Sequence, residues 1–382
     1  MANTMVDLYE KQGQSPWLDF IRRNMLLDGG LKRYVEEQGI RGVTANPTIF
    51  AQAIGAGDDY DAQIAELVRK GVAPRDMFEQ IAIDDIRHAA DILRPVNDAA
   101  NGGDGFVSIE VSPGNAFRTK ETIDEAKRWW KAIDRPNLMV KIPATDEGIP
   151  AIEECIAAGV NINITLIFAL EFYERVMEAY IRGLERRVEN GADIGSVSSV
   201  ASFFVSRVDT AADKLIEAKI SDAKSDAETA KLQALLGKVA VANAKVAYQR
   251  FLAVFGTDRF KKLQAKGARL QRPLWASTGT KNKAYSDTLY LSELIGPDTV
   301  NTIPPATIDA FRDHGVVRRT IDENVDDAKR VLADLASAGI SIDEITAKLQ
   351  KDGVESFSKS FDEINEITMR KADQIKAKVS AA

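Results

Sequence analysis

The sequence is poor in the residues that bind metals or form disulfide bonds. Its 382 residues include one cysteine, Cys155, and two histidines, His88 and His314. A single cysteine excludes an intrachain disulfide and is typical of a protein in a reducing compartment. His88 lies in a helical pattern and His314 directly precedes Gly315 at a helix end, so both are expected to be structural. We therefore expect no bound metal.

Other absences narrow the class of protein further. The sequence contains no stretch approaching the roughly 20 apolar residues of a membrane span. The first residues, MANTMVDLYEKQGQSPW, lack a cationic region followed by an apolar run, so we expect no secretory signal and a cytoplasmic location. The phosphate loop G-x-x-x-x-G-K followed by Ser or Thr is missing, and GAGDD at Gly55 is too weak for a dinucleotide fingerprint. A net charge of -7 argues against a general nucleic-acid or anionic-membrane surface.

Short β-rich runs alternate with longer helical patterns along the chain. The runs that fit strands are residues 15–21, 40–46, 105–111, 137–143, 160–168, 197–205, 272–278 and 299–304. Strands that alternate with helices predict a parallel sheet, and eight strands are the number that closes a barrel. A doubly wound open sheet is the alternative, which periodicity does not exclude. We therefore predict an α/β fold, a (β/α)8 TIM barrel with additional helices.

Two segments exceed what a barrel requires. Residues 208–271 form a charged, alanine-rich helical stretch between the sixth and seventh strands, which we interpret as helices rather than a linker. Extra C-terminal helices are predicted at about 341–382, where Phe357 and Phe361 lie at helical spacing. They either close the base of the barrel or cover its mouth. We expect residues 1–382 to form a single barrel domain that includes both segments.

The fourth predicted strand, NLMVKIP, places Lys141 among apolar residues. One explanation is a half-buried lysine whose ammonium reaches out to solvent. The other is a desolvated amine, in which the neutral form is favoured and can attack a carbonyl. The stretch alone favours the first explanation because lysine is rarely fully buried.

Polar residues recur near the carboxyl ends of the predicted strands. They are Asp19, Asn46, Glu110, Lys141, Asn163, Thr165, Ser202, Arg207, Ser277 and Lys281. Each has an ordinary explanation: Asn46, for example, precedes Pro47 and can cap a helix. Together they put a charged or amide residue into five successive apolar strands, at the end of the barrel where such enzymes have their active sites. We therefore interpret Lys141 as an active-site amine.

This set of residues suits one class of reaction. A neutral amine condenses with a ketone to give a protonated Schiff base, which withdraws electrons when an adjacent carbon–carbon bond breaks. One carboxylate removes a proton from the hydroxyl across that bond, and a second assists the loss of water. Amides and hydroxyls hold a polyol, and Arg207 and Lys281 can hold a phosphate. No metal or cofactor is required.

Seven stretches resemble motifs of the transaldolase family, and they cover nearly the whole chain. Five resemble the family's strand motifs in order: GVTANPTIF, VSIEVSP, NLMVKIP, GVNINITLIFAL and ASFFVSRVD. Two resemble its longer bacterial members: LWASTGTKN and LIGPDTVNTIPPAT. The resemblance implies a barrel of the class I aldolase type without a cofactor. It also implies transfer of a dihydroxyacetone unit from sedoheptulose 7-phosphate or fructose 6-phosphate to glyceraldehyde 3-phosphate or erythrose 4-phosphate, in the non-oxidative pentose phosphate pathway.

The resemblance further implies a role for each position. Lys141 would form the Schiff base and Asp19 would be the acid/base for bond cleavage. Glu110 and Thr165 would position the water used to form and hydrolyse the imine. The other positions would bind substrate: Asn46, Asn163, Ser202, Phe204, Arg207 and Ser277. Many members carry an arginine just after the seventh strand, where this chain has STGTKN, so Lys281 is expected to replace it.

Two alternatives stay open. A fructose 6-phosphate aldolase would release free dihydroxyacetone, but that group has shorter chains and a tyrosine at the water site, so Glu110 and the chain length disfavour it. A non-catalytic sugar-phosphate-binding barrel would not need a buried amine, so the set of Asp19, Glu110 and Lys141 disfavours it. We expect sugar-phosphate substrates, no nucleic-acid or membrane partner, and a monomer or homodimer.

Overall fold

The computed structural model describes residues 4–380, with the side chains of Arg75 and 378–380 left out. Eight strands form the sheet: β1 Gln14–Leu18, β2 Gly42–Thr44, β3 Phe106–Glu110, β4 Leu138–Pro143, β5 Ile162–Ile167, β6 Ser199–Phe204, β7 Gln271–Ala276 and β8 Thr299–Ile303. Each strand is parallel to the next, and β8 pairs with β1, which closes the barrel. The prediction of a (β/α)8 barrel is confirmed.

Helices cover the outside of the barrel and fill its connections. Those before β5 are α1 Thr4–Gln12, α2 Arg23–Leu27, α3 Gly30–Glu36, α4 Pro47–Gly55, α5 Asp61–Arg69, α6 Pro74–Ala99, a 3-10 helix Pro113–Asn115, α7 Thr119–Ile133 and α8 Gly148–Ala157. Those after β5 are α9 Leu170–Glu189, α10 Ser206–Asp222, α11 Asp226–Gln233, α12 Val239–Phe255, α13 Asp258–Gln264, α14 Leu289–Glu293, α15 Pro305–His314, α16 Val325–Ser337 and α17 Ile342–Ser380. None of the helices in the described residues is long and apolar enough to cross a membrane.

The 208–271 segment is helical, as predicted, and contains most of α10 together with α11, α12 and α13. The C-terminal segment differs from the prediction of several helices, because residues 342–380 form one continuous helix, α17. Residues 381 and 382 of that prediction lie outside the described residues.

The barrel interior is filled by every second residue of the strands. Trp17 occupies its lower part, and Gly42 on the neighbouring strand leaves room for the indole ring. A Cβ atom at Gly42 would lie 2.4 Å from a ring atom of Trp17, so a larger residue there cannot fit without displacing the ring. Below this layer, at the amino ends of the strands, lies the buried carboxylate of Asp104.

Helix α17 lies across the mouth, the end of the barrel formed by the carboxyl ends of the strands. It packs on α4, α5, α6 and α10. Gln350 donates a hydrogen bond to the carbonyl of Ala144, just after β4 (2.7 Å). Gly353 allows close approach to Leu166 in β5, since a Cβ atom there would lie 2.8 Å from the leucine side chain. Of the two predicted placements, the mouth rather than the base is therefore correct.

Candidate active site

Lys141 points into the barrel and does not reach solvent. Its pairing with Glu110 in the β3–β4 register places the two side chains side by side, and Lys141 is only 5% exposed. Its Nζ atom lies 3.3 Å from Glu110 Oε2 and 3.4 Å from the carbonyl oxygen of Ala45. The amine is therefore buried and does not reach solvent, which contradicts the snorkelling explanation.

Glu110 is buried with few partners. Apart from the ion pair with Lys141, neither of its carboxylate oxygens has a hydrogen-bond partner among the described residues. Burial raises the pKa of Glu110, and the positive charges of Lys141 and Arg207 only partly oppose this effect. The group therefore holds a proton more readily than an exposed glutamate and is available to a water molecule or a substrate hydroxyl.

Asp19 is half-buried at the mouth, one residue beyond the end of β1 and not within the strand as predicted. Its backbone N–H continues the ladder to the carbonyl of Ile303 (3.0 Å). Thr44 Oγ1 donates to Asp19 Oδ1 (2.8 Å), so in the 2.6 Å contact between Thr44 and Thr302 the donor must be Thr302.

The environment of Asp19 raises its pKa. Burial is the largest cause, opposed by the hydrogen bond from Thr44 and by the charges of Lys141, Lys281 and Arg207. Three cations therefore act on one carboxyl group at the mouth. A raised pKa suits a carboxylate that takes a proton and later returns it.

Asn163 and Ser202 lie in a buried polar layer that also contains a residue the sequence analysis did not single out. Ser202 Oγ donates to Asn163 Oδ1 (2.7 Å), and Asn163 Nδ2 donates to Ser108 Oγ (3.0 Å). Ser108 is two residues before Glu110 and Thr44 is two residues before Asn46, so both follow the alternation of inward residues. That period of two is the signal that could have identified them.

Thr165 is fully buried, and its hydroxyl has no hydrogen-bond partner within the described part of the chain. It lies where the pairing of β5 with β6 shifts, between Ile164 and Ile167, and the next residue, Leu166, has a φ of 57°. A bulge of this kind redirects side chains, and it is held here by packing of α17 against Leu166.

Asn46 has the structural role that was considered for it. Its side-chain oxygen accepts a hydrogen bond from the backbone of Ile49 (3.0 Å), which caps α4 directly before Pro47. The side chain is half-buried at the mouth, and no other side-chain hydrogen bond is made to it by the residues described. Its amide nitrogen is therefore left for a ligand.

Arg207 lies at the start of α10 and leans on two aromatic rings. Its guanidinium carbon is 5.3 Å from the ring centre of Phe204 and 6.0 Å from that of Phe357 on α17. Between residues 4 and 380 it forms no ion pair or hydrogen bond of its own. Burial lowers its pKa, opposed by the charges of Asp19 and Glu110. The cation is oriented by the rings and its donors are unused.

Ser277 and Lys281 lie beyond β7, on the same side of the mouth. Ser277 Oγ is 2.9 Å from Ser206 Oγ, next to Arg207, and its φ of 57° turns the chain sharply away from the barrel. Lys281 is exposed, and its charge acts on Asp19. The structure thus places all the predicted residues at the mouth, with Lys281 the most peripheral.

The fold and the site together define a class: a (β/α)8-barrel enzyme whose polar side chains converge at the carboxyl ends of the strands. The chain belongs to the family described as transaldolase/fructose-6-phosphate aldolase, whose model matches residues 16–367. The resemblance seen in the motifs is thereby confirmed.

Three relatives show how far the similarity extends. The chain is 46% identical to a transaldolase of Trichodesmium erythraeum over 363 residues, 94% of this chain and 95% of that protein. It is 45% identical to a transaldolase of Saccharopolyspora erythraea over 376 residues, 98% of this chain and 100% of that protein. It is 48% identical to a transaldolase 2 of Streptomyces coelicolor over 356 residues, 92% of this chain and 93% of that protein.

Proposed function

We propose that the protein is a transaldolase that transfers a dihydroxyacetone unit from a ketose phosphate to an aldose phosphate through a Schiff base on Lys141. The observation that carries the proposal is the buried pair of Lys141 and Glu110, whose nitrogen and oxygen are 3.3 Å apart. Burying the carboxylate of Glu110 without further hydrogen bonds lowers the stability of the fold. Such a cost is expected at an active site, where polar groups are kept free for the substrate.

The first step joins the donor to the enzyme. A proton passes from Lys141 to Glu110, 3.3 Å away, as the donor binds, and the resulting neutral amine attacks the C2 carbonyl of the ketose to form a carbinolamine. Glu110 gives its proton to the C2 hydroxyl, which leaves as water, and a protonated imine remains. The raised pKa of Glu110 supports this role because it keeps the proton available. The unpaired hydroxyl of Thr165 offers the water a second partner.

The second step breaks and remakes the carbon–carbon bond. Asp19 takes the proton of the C4 hydroxyl, the C3–C4 bond breaks, and its electron pair moves toward the imine to give a neutral enamine. The first aldehyde leaves. When the acceptor aldehyde arrives, the enamine carbon attacks its carbonyl, and Asp19 returns the proton to the new hydroxyl. Water, deprotonated by Glu110, then hydrolyses the imine and frees Lys141.

The remaining polar groups of the mouth suit a sugar phosphate. The amides of Asn46 and Asn163 and the hydroxyl of Ser202 would bind the dihydroxyacetone hydroxyls. The ring of Phe204 would form one wall of the pocket. Ser277 and the unpaired guanidinium of Arg207 lie further out and would bind the phosphate, with Lys281 as a second cation.

Borohydride trapping tests the Schiff base. With fructose 6-phosphate present, reduction should fix one three-carbon or six-carbon adduct to the chain, and peptide mapping should place it on Lys141. Lys141→Met should neither trap nor turn over. Lys245 offers a matched control, since it is also 5% exposed and paired with a glutamate, Glu293 (3.3 Å). Trapping in Lys141→Met, or an adduct on Lys245, would contradict the proposal.

A fructose 6-phosphate aldolase is the second candidate because the matched family includes that activity. Incubation with fructose 6-phosphate alone and with erythrose 4-phosphate separates the two. A transaldolase should form sedoheptulose 7-phosphate only with the acceptor and release little free dihydroxyacetone. Rapid release of dihydroxyacetone without an acceptor would favour the aldolase, and no reaction in either case would favour a binding protein.

We further propose, from the sequence, that residues 1–382 form one domain with the 208–271 insertion and the C-terminal extension. The enzyme would act in the pentose phosphate pathway in the cytoplasm as a monomer or homodimer, without a cofactor and without nucleic-acid partners. Size-exclusion chromatography with light scattering tests the oligomeric state.

A further inference from the structure

Two buried aspartates on α10 form a cluster that the proposed mechanism does not use. Asp209 and Asp213 are four residues apart, so they lie on one face of the helix, and both are almost fully buried. Each accepts one backbone N–H bond and one tyrosine hydroxyl bond. The donors to Asp209 are Ala240 N (2.7 Å) and Tyr290 OH (3.0 Å); those to Asp213 are Gly237 N (3.0 Å) and Tyr285 OH (2.8 Å).

The cluster connects three pieces of chain: α10, residues 237–240 at the start of α12, and residues 277–290 after β7. Gly237 is essential to the contact, because it has a φ of 69° and a Cβ atom there would lie 2.7 Å from the ring of Tyr285. Burial and the neighbouring aspartate raise the pKa of Tyr285 and of Tyr290, so both hydroxyls stay protonated and donate.

Ser277 and Lys281, the two predicted substrate-binding residues that follow β7, both lie within residues 277–290. Within this segment Thr280 donates to the carbonyl of Ser286 (2.8 Å), so the turn that bears Lys281 is tied to Tyr285. Lys281 is exposed and has no ion pair in the described residues that would hold it. Its charge nevertheless acts on Asp19. The position of Lys281 therefore depends on how its segment is fastened.

We propose that Asp209, Asp213, Tyr285 and Tyr290 are positioning residues that hold this segment so that Lys281 joins Arg207 in binding the phosphate of the substrate. The inference rests on the proposed function and adds to it the residues that set the affinity of the site for phosphate. Both aspartates and both backbone donors belong to the 208–271 insertion. The insertion therefore supports the active site, because one end of α10 carries Arg207 and the same helix fastens Lys281.

Removal of a single tyrosine hydroxyl tests the fastening with little change in packing. In Tyr285→Phe, and in Tyr290→Phe, the inhibition constant of inorganic phosphate and the KM for fructose 6-phosphate should rise about twofold to tenfold, the range for loss of one hydrogen bond. The turnover number should change less than KM. Tyr180→Phe is a matched control, since its hydroxyl donates to the carbonyl of Arg269 (2.8 Å) at the base of the barrel, and it should leave both constants unchanged.

A double-mutant cycle separates positioning from general loosening. Once Lys281→Ala has removed the cation, Tyr285→Phe should add no further loss of phosphate affinity, although it should still destabilise the fold. Equal losses with and without Lys281, or no loss in Tyr285→Phe, would overturn the inference. These outcomes are distinct from failure of the proposed function, which would appear as absence of the borohydride adduct in the unmodified protein.

Discussion

A buried carboxylate lies at each end of the barrel, and the two have different surroundings. At the base, Asp104 is 2% exposed and accepts four hydrogen bonds, from Ser15 Oγ (2.7 Å), Trp17 Nε1 (3.0 Å), Arg41 Nε (2.8 Å) and an Arg272 nitrogen (3.4 Å). At the mouth, Glu110 is 9% exposed, and among the described residues Lys141 is the one partner of its carboxylate. Their burial is similar, but their hydrogen bonding is not.

The pKa values of Asp104 and Glu110 are shifted in opposite directions. Burial raises the pKa of both carboxyl groups. At Asp104 the charges of Arg272 and Arg41 and the hydrogen bond from Ser15 outweigh burial, and the pKa is lowered. At Glu110 the charges of Lys141 and Arg207 do not outweigh burial, and the pKa is raised. In this pair, the carboxylate with four hydrogen bonds has the lowered pKa, and the carboxylate left with unused oxygens has the raised pKa and is available to a ligand.

The arginines show the same contrast. Arg41 and Arg272 at the base are both paired with Asp104, at 2.8 Å and 3.4 Å. Arg207 at the mouth is held by aromatic rings instead of a carboxylate. A paired guanidinium contributes to stability, whereas one with unused donors is ready for an anion. The predictions below test whether the two ends separate stability from function in this way.

The largest effect is expected on stability, from Asp104→Asn. The substitution keeps the shape of the side chain but leaves two partly buried arginines without a carboxylate, which typically costs about 3 to 5 kcal/mol. Urea unfolding at pH 7.5 measures the loss. Activity per folded molecule should stay close to normal because the site lies at the other end of the barrel.

The control for Asp104→Asn is Asp98→Asn, which removes an exposed ion pair with Arg94 (2.7 Å) and should cost less than about 1 kcal/mol. The pH dependence gives a second check. Because the folded pKa of Asp104 is lowered, its contribution is complete above the unfolded value of 3.8 and is lost as pH falls through the folded pKa. Equal losses in the two variants would mean that Asp104 is not a stabilising centre.

The next largest effect is expected on activity, from Asp19→Asn. An amide at this position can still accept from Thr44 but cannot take a proton from the substrate. Turnover should fall by about 10²-fold or more, whereas borohydride trapping with fructose 6-phosphate should survive because imine formation precedes the step that Asp19 serves. Stability should not fall, and should rise slightly at neutral pH because the folded pKa of Asp19 is also raised, the reverse of Asp104→Asn. Normal turnover would assign the base to another residue.

The barrel was predictable because its strands are separate β-rich runs, and the amine was predictable because Lys141 interrupts one of them. The placement of α17 was not. Periodicity shows that Phe357 lies on an apolar face, but it does not show which surface that face covers. Contacts with Leu166 and with Arg207 decide the placement, and both depend on distances across the fold.

The supporting hydroxyls were also missed. Ser and Thr are common in strands, so Thr44 and Ser108 carry no signal individually. Their importance depends on which side chain they meet, Asp19 for one and Asn163 for the other. The predicted first strand, residues 15–21, ends three residues too late for a related reason, because β1 ends at Leu18, where its pairing with β8 ends, and the local sequence does not encode that point.

A moderate effect on substrate affinity is expected from Arg207→Ala. Loss of a charge-assisted hydrogen bond typically costs roughly 1.5 to 3 kcal/mol, so the KM for phosphorylated donors should rise by about 10-fold to 150-fold. The reaction of unphosphorylated dihydroxyacetone should change far less. Arg128→Ala is a suitable control because Arg128 also lies on an aromatic ring, 5.2 Å from the centre of Trp129, but on the outer face of α7. Equal losses for both kinds of substrate would remove Arg207 from the phosphate site.

The smallest effect, and the most direct test of the comparison, is expected on stability from Glu110→Gln. Because the folded pKa of Glu110 is raised above its ordinary value of 4.5, the folded state binds the proton more tightly than the unfolded state. Stability therefore falls as pH rises from the unfolded pKa through the folded one, and the penalty is fully present above the folded pKa. Glutamine resembles the protonated acid, and its amide oxygen together with the Ala45 carbonyl can still accept hydrogen bonds from Lys141 Nζ. The variant therefore escapes the penalty without leaving the amine unpartnered, but it loses catalytic activity.

We expect Glu110→Gln to raise the free energy of unfolding at pH 8 by about 0.5 to 2 kcal/mol, the usual range for a single stabilising substitution. The gain should shrink toward pH 4.5, where the unmodified carboxyl group is also protonated. The matched control is Glu125→Gln, at 8% exposure. Glu125 accepts bonds from Ser112 N (3.0 Å), Ser112 Oγ (2.6 Å), Asn115 Nδ2 (2.8 Å) and Trp129 Nε1 (3.3 Å), so the same substitution there should destabilise. Urea unfolding across this pH range compares the two, and a loss of stability in both would show that incomplete hydrogen bonding does not distinguish the carboxylate at the mouth.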